Sequence, residues 1–294
     1  MQRFTTYLMV ITAAVFWGAN FNLAVPVVAE MHPFVAGATR YLLAAAVMLM
    51  IMCWRRERIP LRYARQYLLL GVVGVFGFNL LFFLGMQTTS AVNGALIMAL
   101  NPLLTSIVAY VLLSDRPSSR QLLAYPVGFA GVGVVVLGGG AALHAAIGDV
   151  YIFGASLAWA FYNVLLRKHM PSDVSGIAST AAIMSAGALA LTAVAVLAGK
   201  PFIVPSVHAG SALLVMTLGG GVLAYLFWNV GVAKLGAAQA AIFLNLVPVA
   251  SMLIAVFEGH PPNHAQWLGG LLVIGAVLFA SAGFAGKSSV PSAS

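Results

Sequence analysis

Acidic side chains are scarce in this sequence. Six Asp and Glu stand against fourteen Lys and Arg in 294 residues, and charged residues of both signs make up 7% of the chain. Soluble domains carry roughly 25% charged residues, so a soluble class is excluded and a membrane class implied. The single cysteine, Cys53, allows neither an intrachain disulfide nor a cysteine metal cluster. The GxxxxGK[ST] phosphate loop is missing, which argues against direct ATP-driven pumping. His260 and His264 have i, i+4 spacing, but Pro261-Pro262 breaks the helix that would put them on one face, so no metal site is expected. No Ser/His/Asp arrangement falls at membrane depth. Catalytic residues and cofactors are therefore not expected, and the chain does not read as an enzyme. Glu30, Glu57, Asp115, Asp149 and Asp173 read as loop or helix-end residues and Glu258 as an outer helix end, leaving no acid deep in the membrane. The N-terminus lacks a small-residue cleavage site after a short apolar core, so the first apolar run is expected to be retained.

What the chain has in abundance is apolar surface: 62% of its residues, with a mean hydropathy of +1.02. Crossing a bilayer takes roughly 20 predominantly apolar residues. Ten such runs are present, at about 5–27, 33–54, 66–86, 91–113, 121–140, 148–168, 175–198, 210–232, 237–257 and 265–285. The predicted fold is therefore an all-α integral membrane protein of ten transmembrane helices. With the N-terminus inside, Arg3, Arg55, Arg56, Arg58, Arg62, Arg65, Arg116, Arg120, Arg167, Lys168, Lys234 and Lys287 fall on the cytoplasmic side, twelve of the fourteen basic residues. Lys200 falls outside and Arg40 within a run. This bias predicts ten spans in the plasma (cell inner) membrane with both termini cytoplasmic. It also assigns the basic pI near 9.9 to membrane flanks rather than to nucleic acid.

The chain repeats itself. At an offset of 146, Gly74 falls on Gly220, Gly85 on Gly231, Ala91 on Ala237, Ala95 on Ala241, Leu100 on Leu246 and Pro102 on Pro248. Trp17 with Asn20 matches Trp159 with Asn163 near an offset of 142. We read repeats at 1–143 and 144–286, followed by a flexible tail at 287–294. Five spans is an odd number, so the second repeat enters the membrane inverted, the arrangement that permits alternating access around a central cavity. Pro102 and Pro248 break matched spans and are read as hinges; a packing kink is the plainer reading of either alone. Dense small residues, such as Gly71, Gly74, Gly77, Gly128, Gly131, Gly269, Gly270 and Gly275, suit close helix packing.

Polar side chains inside spans are costly. Asn20, Asn79, Asn101, Asn163 and Asn245 lie near mid-membrane beside Trp17, Met98, Trp159, Tyr225 and Trp228. One such Asn alone reads as interhelical glue; the set, with its aromatics, reads as an apolar-walled substrate pocket. Arg40 stands about two turns inside the second span, roughly 10 Å along the axis. A long Arg stem there can snorkel to the headgroups. Facing inward, the same side chain can grip a carboxylate in bidentate fashion.

These residues resemble the drug/metabolite transporter superfamily in its ten-span EamA-type branch. The resemblance rests on Phe16-Trp17-Gly18-Ala19-Asn20-Phe21, Ala38-Thr39-Arg40-Tyr41 and Asn101-Pro102-Leu103. The stretch Leu223-Ala224-Tyr225-Leu226-Phe227-Trp228-Asn229-Val230-Gly231 looks like the eighth span of YddG-type amino-acid exporters. Asp115-Arg116 fits the acidic-basic pair after the fourth span; Pro261-Pro262 occupies the matching place in the second half and departs from it. The resemblance implies a basket-like monomer in the bilayer, exporting a small-molecule substrate, an amino acid or related metabolite. The alternatives are a nucleotide-sugar carrier, a passive channel and a membrane-embedded enzyme.

Overall fold

In the computed structural model the described residues are 2–138, 143–235 and 243–281. The start of the ninth expected run (237–242 of 237–257), the end of the tenth run and the tail 287–294 lie outside them, as do the side chains of Arg3 and Asn229. Among the described residues the chain forms ten helical rods and no strand. We label them α1 (Gln2–Glu30), α2 (Pro33–Trp54), α3 (Leu61–Met86), α4 (Ala91–Leu113), α5 (Ser119–Gly138), α6 (Leu143–His169), α7 (Gly176–Leu197), α8 (207–235), α9 (Phe243–Phe257) and α10 (His264–Ser281). The first eight each contain a stretch long and apolar enough to cross a membrane; α9 and α10 are apolar but shorter over their described residues.

Local sequence sets the rod ends. Pro33 opens α2, where a missing N–H costs nothing, and His32 accepts the Phe34 N–H. Ser90, Ser175 and Ser206 cap α4, α7 and α8 by accepting the N–H three residues on. Gly199 and Gly259, at φ of 61° and 80°, let α7 and α9 stop in the left-handed region. Ser114 ends α4 the same way at φ 58° without being glycine.

Four rods depart from regular helix, and they do so where the sequence repeats. The helix in α4 is interrupted at Ala99-Leu100 and restarts at Asn101, with Pro102 in its first turn. α9 enters through a tight turn at Phe243–Asn245 before Leu246, with Pro248 again in the first turn. Pro26 and Pro126 sit inside uninterrupted helices, so proline by itself does not decide the break. α3 and α8 each carry a π-helical stretch, Gly71–Gly77 and Met216–Leu223. An offset of 146 carries Gly71 to Thr217 and Gly77 to Leu223, so the two stretches coincide.

The packing pairs up in the same way. α1 packs on α8 and α9, and α6 packs on α3 and α4. α2 packs on α7, and α5 on α10. Exchanging each rod of one half with its counterpart leaves that set of contacts unchanged. The main apolar core runs through α1, α2, α3, α6 and α7, and a second cluster joins α4, α5, α6 and α10. Glycine permits the closest approaches. A Cβ on Gly74 would lie 2.1 Å from the Tyr162 ring, and one on Gly71 2.6 Å from the Ile183 carbonyl.

Candidate functional site

The two π-helical stretches shape the polar floor of a central cavity. A π turn is wider than an α turn and commonly marks a functional position. In α8 two carbonyls of that stretch accept side-chain hydrogens. Arg40 Nη2 donates to Met216 O at 3.2 Å, and Trp17 Nε1 donates to Gly220 O at 3.0 Å. In α3 the Val75 carbonyl accepts from Asn79 Nδ2 at 2.8 Å, which turns Asn79 Oδ1 toward Arg40 Nη1 at 3.4 Å. Arg40 is 3% exposed and its head is held between the two halves of the chain. It does not snorkel. Its guanidinium carbon lies 5.4 Å from the Tyr41 ring centre. Among the described residues no carboxylate touches it. Arg40 Nε and Asn20 Oδ1 are both buried without a hydrogen-bond partner. Asn20 packs against Gly220, where a Cβ would come within 2.5 Å of its amide.

The cavity holds about 80 Å³ of free space. Of the residues expected from sequence, Trp17, Asn20, Arg40, Met98, Asn101, Trp159, Tyr225, Asn245 and Pro102 line it. Phe21, Tyr41, Phe78, Phe82, Ala99, Gly220, Leu244 and Val247 complete the wall. These were not foreseen, because an aromatic or leucine in an apolar run looks the same whether it faces a cavity or a neighbouring helix. The rings form one contiguous wall. Trp17 lies edge-on to Trp159 at 6.5 Å and to Tyr225 at 5.9 Å, and Phe78 lies 5.2 Å from Trp159. Trp17 and Trp159 are the repeat counterparts, and they meet at the centre.

Four expected residues stand outside the lining. Asn79 braces Arg40 from behind. Asn163 donates to Asn101 Oδ1 at 3.3 Å and to Thr105 Oγ1 at 3.4 Å, while Asn101 itself donates to Ser156 O at 2.7 Å. These bonds tie the restart of α4 to α6. Trp228 backs Trp17 at 5.2 Å, and Pro248 is buried in the first turn of α9.

One reading from sequence is corrected. Asp149 is neither a loop residue nor an exposed helix end. α6 begins at Leu143, so Asp149 lies more than a turn inside it, 3% exposed. Thr89 donates to one carboxylate oxygen and Asn93 Nδ2 to the other, at 3.4 Å for the latter. Gln266 of α10 donates to Asn93 Oδ1 at 2.7 Å. The cluster joins α4, α6 and α10 beside the bend between α3 and α4, away from the cavity lining. Asn22 was also missed; it donates to Ser251 O and Oγ, both at 3.1 Å, and closes α1 on α9. The i, i+4 histidines form no metal cluster among the described residues.

A cavity with a polar floor, an aromatic wall and one cation that no carboxylate meets among the described residues suits passage of a small solute. The comparisons agree with that architecture. The EamA-like transporter family matches residues 4–137 and again 146–282. An uncharacterized transporter, YyaM, of Bacillus subtilis (strain 168) is 39% identical over 290 residues, 96% of this chain and 95% of its own. The aromatic amino acid exporter YddG of Ancylobacter novellus is 23% identical over 96% of this chain and 98% of its own. A probable terminal-alkyne amino-acid exporter of Streptantibioticus cattleyicolor is 24% identical over 71% of this chain and 70% of its own. A solved crystal structure shares the fold with a TM-score of 0.68 at 22% identity, over 95% of this chain and 97% of that one. The chain is an integral membrane protein, and it belongs to the EamA-like transporter family.

Proposed function

We propose that this transporter exports a small zwitterionic metabolite, an amino acid with an aromatic or aliphatic side chain, by alternating access. The observation that carries the proposal is Arg40. A buried guanidinium with no counter-ion is costly unless something pairs with it. A substrate carboxylate on its open Nε–H meets that need. Asn20 Oδ1, the orphan acceptor of the same cavity, is placed to take a hydrogen from the substrate ammonium, and the ring wall offers cation–π attraction of ~0.5–2 kcal/mol. The remaining wall is apolar and suits the side chain. The names of the Ancylobacter and Streptantibioticus relatives, both amino-acid exporters, point the same way.

The rest of the proposal follows from the repeat. Ten spans and inverted halves at 1–143 and 144–286 are supported by the coincident π stretches, the paired packing and the double family match, and cytoplasmic termini by the bias of the basic residues. Pro102 and Pro248 are the hinges, each in the first turn after a break. A free space of about 80 Å³ is small beside the roughly 300–1,000 Å³ of drug-sized sites. The ring wall must therefore part to load substrate, which is the motion a hinge in α4 and α9 provides.

Counterflow in proteoliposomes tests this. Internal unlabelled aromatic or aliphatic amino acid should accelerate uptake of the labelled one, as a carrier requires and a channel does not. Decarboxylated amines should be poor substrates. Amines carried as well as their parent amino acids would remove the carboxylate from the argument.

A further inference from the structure

A second recess, sharing no lining residue with the cavity, lies between the end of α4 and the start of α5. It holds about 530 Å³ and is lined by Ile107, Tyr110, Arg116, Pro117, Leu122 and Tyr125. Two of its lining side chains are largely apolar and exposed, Tyr110 at 52% and Leu122 at 56%. In a membrane protein that exposure faces lipid. Its mouth is cationic. Three ion pairs occupy the acids at this end of the molecule among the described residues: Arg55–Glu57, Arg62–Asp173 and Arg167–Asp115. The last is decisive for the recess. Ser114, left-handed at φ 58°, reverses the chain after α4, and Asp115 is taken by Arg167 of α6 at 2.5 Å. Arg116, next in sequence, is left at the recess without a carboxylate. Tyr125 donates to Ser106 Oγ at 3.1 Å and holds the inner wall in place.

We infer that this recess binds one anionic phospholipid, with its phosphate on Arg116 and an acyl chain lying along Ile107 and Leu122. Charge complementarity selects the head: the exposed Arg116 guanidinium, in no ion pair among the described residues, can pair with phosphate in a planar, bidentate fashion. The apolar lining selects a lipid over a soluble anion, because Ile107, Leu122 and the half-exposed Tyr110 line the same recess as the arginine. The exposed basic residues between Arg55 and Arg65 contribute general attraction to anionic lipid.

The test is lipid retention by the purified full-length transporter, read by native mass spectrometry during titration with phosphatidylglycerol or phosphatidylcholine. Phosphatidylglycerol should be retained preferentially, at one molecule per chain. Arg116→Ala should reduce that retention roughly fivefold, the effect of one basic residue at a charged membrane surface. Leu122→Trp, which fills the recess and keeps the charge, should reduce it as well, and Arg58→Ala should not. Equal retention of the two lipids would overturn the inference, as would wild-type retention in both recess variants. Full competition by soluble glycerol phosphate would reduce the site to its anion alone. A lipid-free dimer lost on Leu122→Trp would give the recess to a second copy of the chain.

Discussion

A cation inside an apolar run is rare, and the hydrogen bonds from Arg40 to Asn79 and to the Met216 carbonyl explain its position. Losing a charged hydrogen-bond partner costs ~2 kcal/mol, or roughly thirtyfold in affinity. Arg40→Ala should weaken amino-acid counterflow by about that factor. Arg40→Lys should recover only part of it, because the planar fork is lost. Transport of a decarboxylated amine, however slow, should be insensitive to either change. Unchanged amino-acid uptake by a well-inserted Arg40→Ala protein would leave Arg40 a structural brace between α3 and α8. Asp149 was not legible, for a physical reason. Composition near a span end does not distinguish a carboxylate that faces water from one that three helices enclose. Its cluster makes a stability prediction. Asp149→Ala strands donors on Thr89 and Asn93 and should cost about 1–3 kcal/mol, read as a lowered unfolding midpoint in detergent. Asp149→Asn keeps an acceptor and should cost less.

Whole elements were easier to read than their irregularities. Apolar length located the rods, and the offset of 146 paired them. The glycines of α3 were read as packing residues and Gly220 of α8 only as the repeat match of Gly74, yet they lie in the π-helical stretches whose carbonyls hold Arg40, Trp17 and Asn79. No residue type encodes a π turn uniquely, so that role was hidden. Gly220 tests it. A Cβ there would press on the Asn20 amide at 2.5 Å. Gly220→Ala should therefore displace Asn20 and reduce transport, while Gly275→Ala, which meets open space, should not. The connections between rods carry a pH prediction. Asp173, in the turn before α7, is held below the ordinary value of 3.8, chiefly by the hydrogen bond from the Tyr63 hydroxyl at 2.7 Å. The exposed Arg62 pair adds less, as expected where solvent screens it. A depressed carboxyl stabilises the fold above its ordinary value, and that contribution fades as pH falls through the lowered one. Tyr63→Phe should therefore lower the unfolding midpoint equally at pH 6 and pH 8. The difference should shrink only below about pH 4.

At the scale of the whole molecule, the paired packing gives the two halves matching environments, and the charges break that equivalence. Arg40 has no basic counterpart, since the matching position in α7 falls near Ala182, and Asp149 has no acidic one in α1. A topology reporter fused after Lys287 should be active only in its cytoplasmic form, since twelve of the fourteen basic residues then share one side. The same asymmetry bears on energy coupling. Exchange of a proton for substrate needs an acid that substrate and proton visit in turn, and no carboxylate lines the cavity beside Arg40. The buried acid, Asp149, is joined to α4 and α10 through Asn93 and Gln266 rather than to the ring wall. Flux down a substrate gradient should therefore persist in liposomes whose pH gradient has been collapsed, and a proton gradient alone should drive no net uphill transport. Uphill transport by a proton gradient would refute this, and one variant would then find the carrier of the proton. If Asp149→Asn abolished the coupling but left counterflow intact, the proton would travel through the α4–α6–α10 cluster while substrate crosses at Arg40. If Asp149→Asn kept the coupling, the proton would have to ride on the substrate itself.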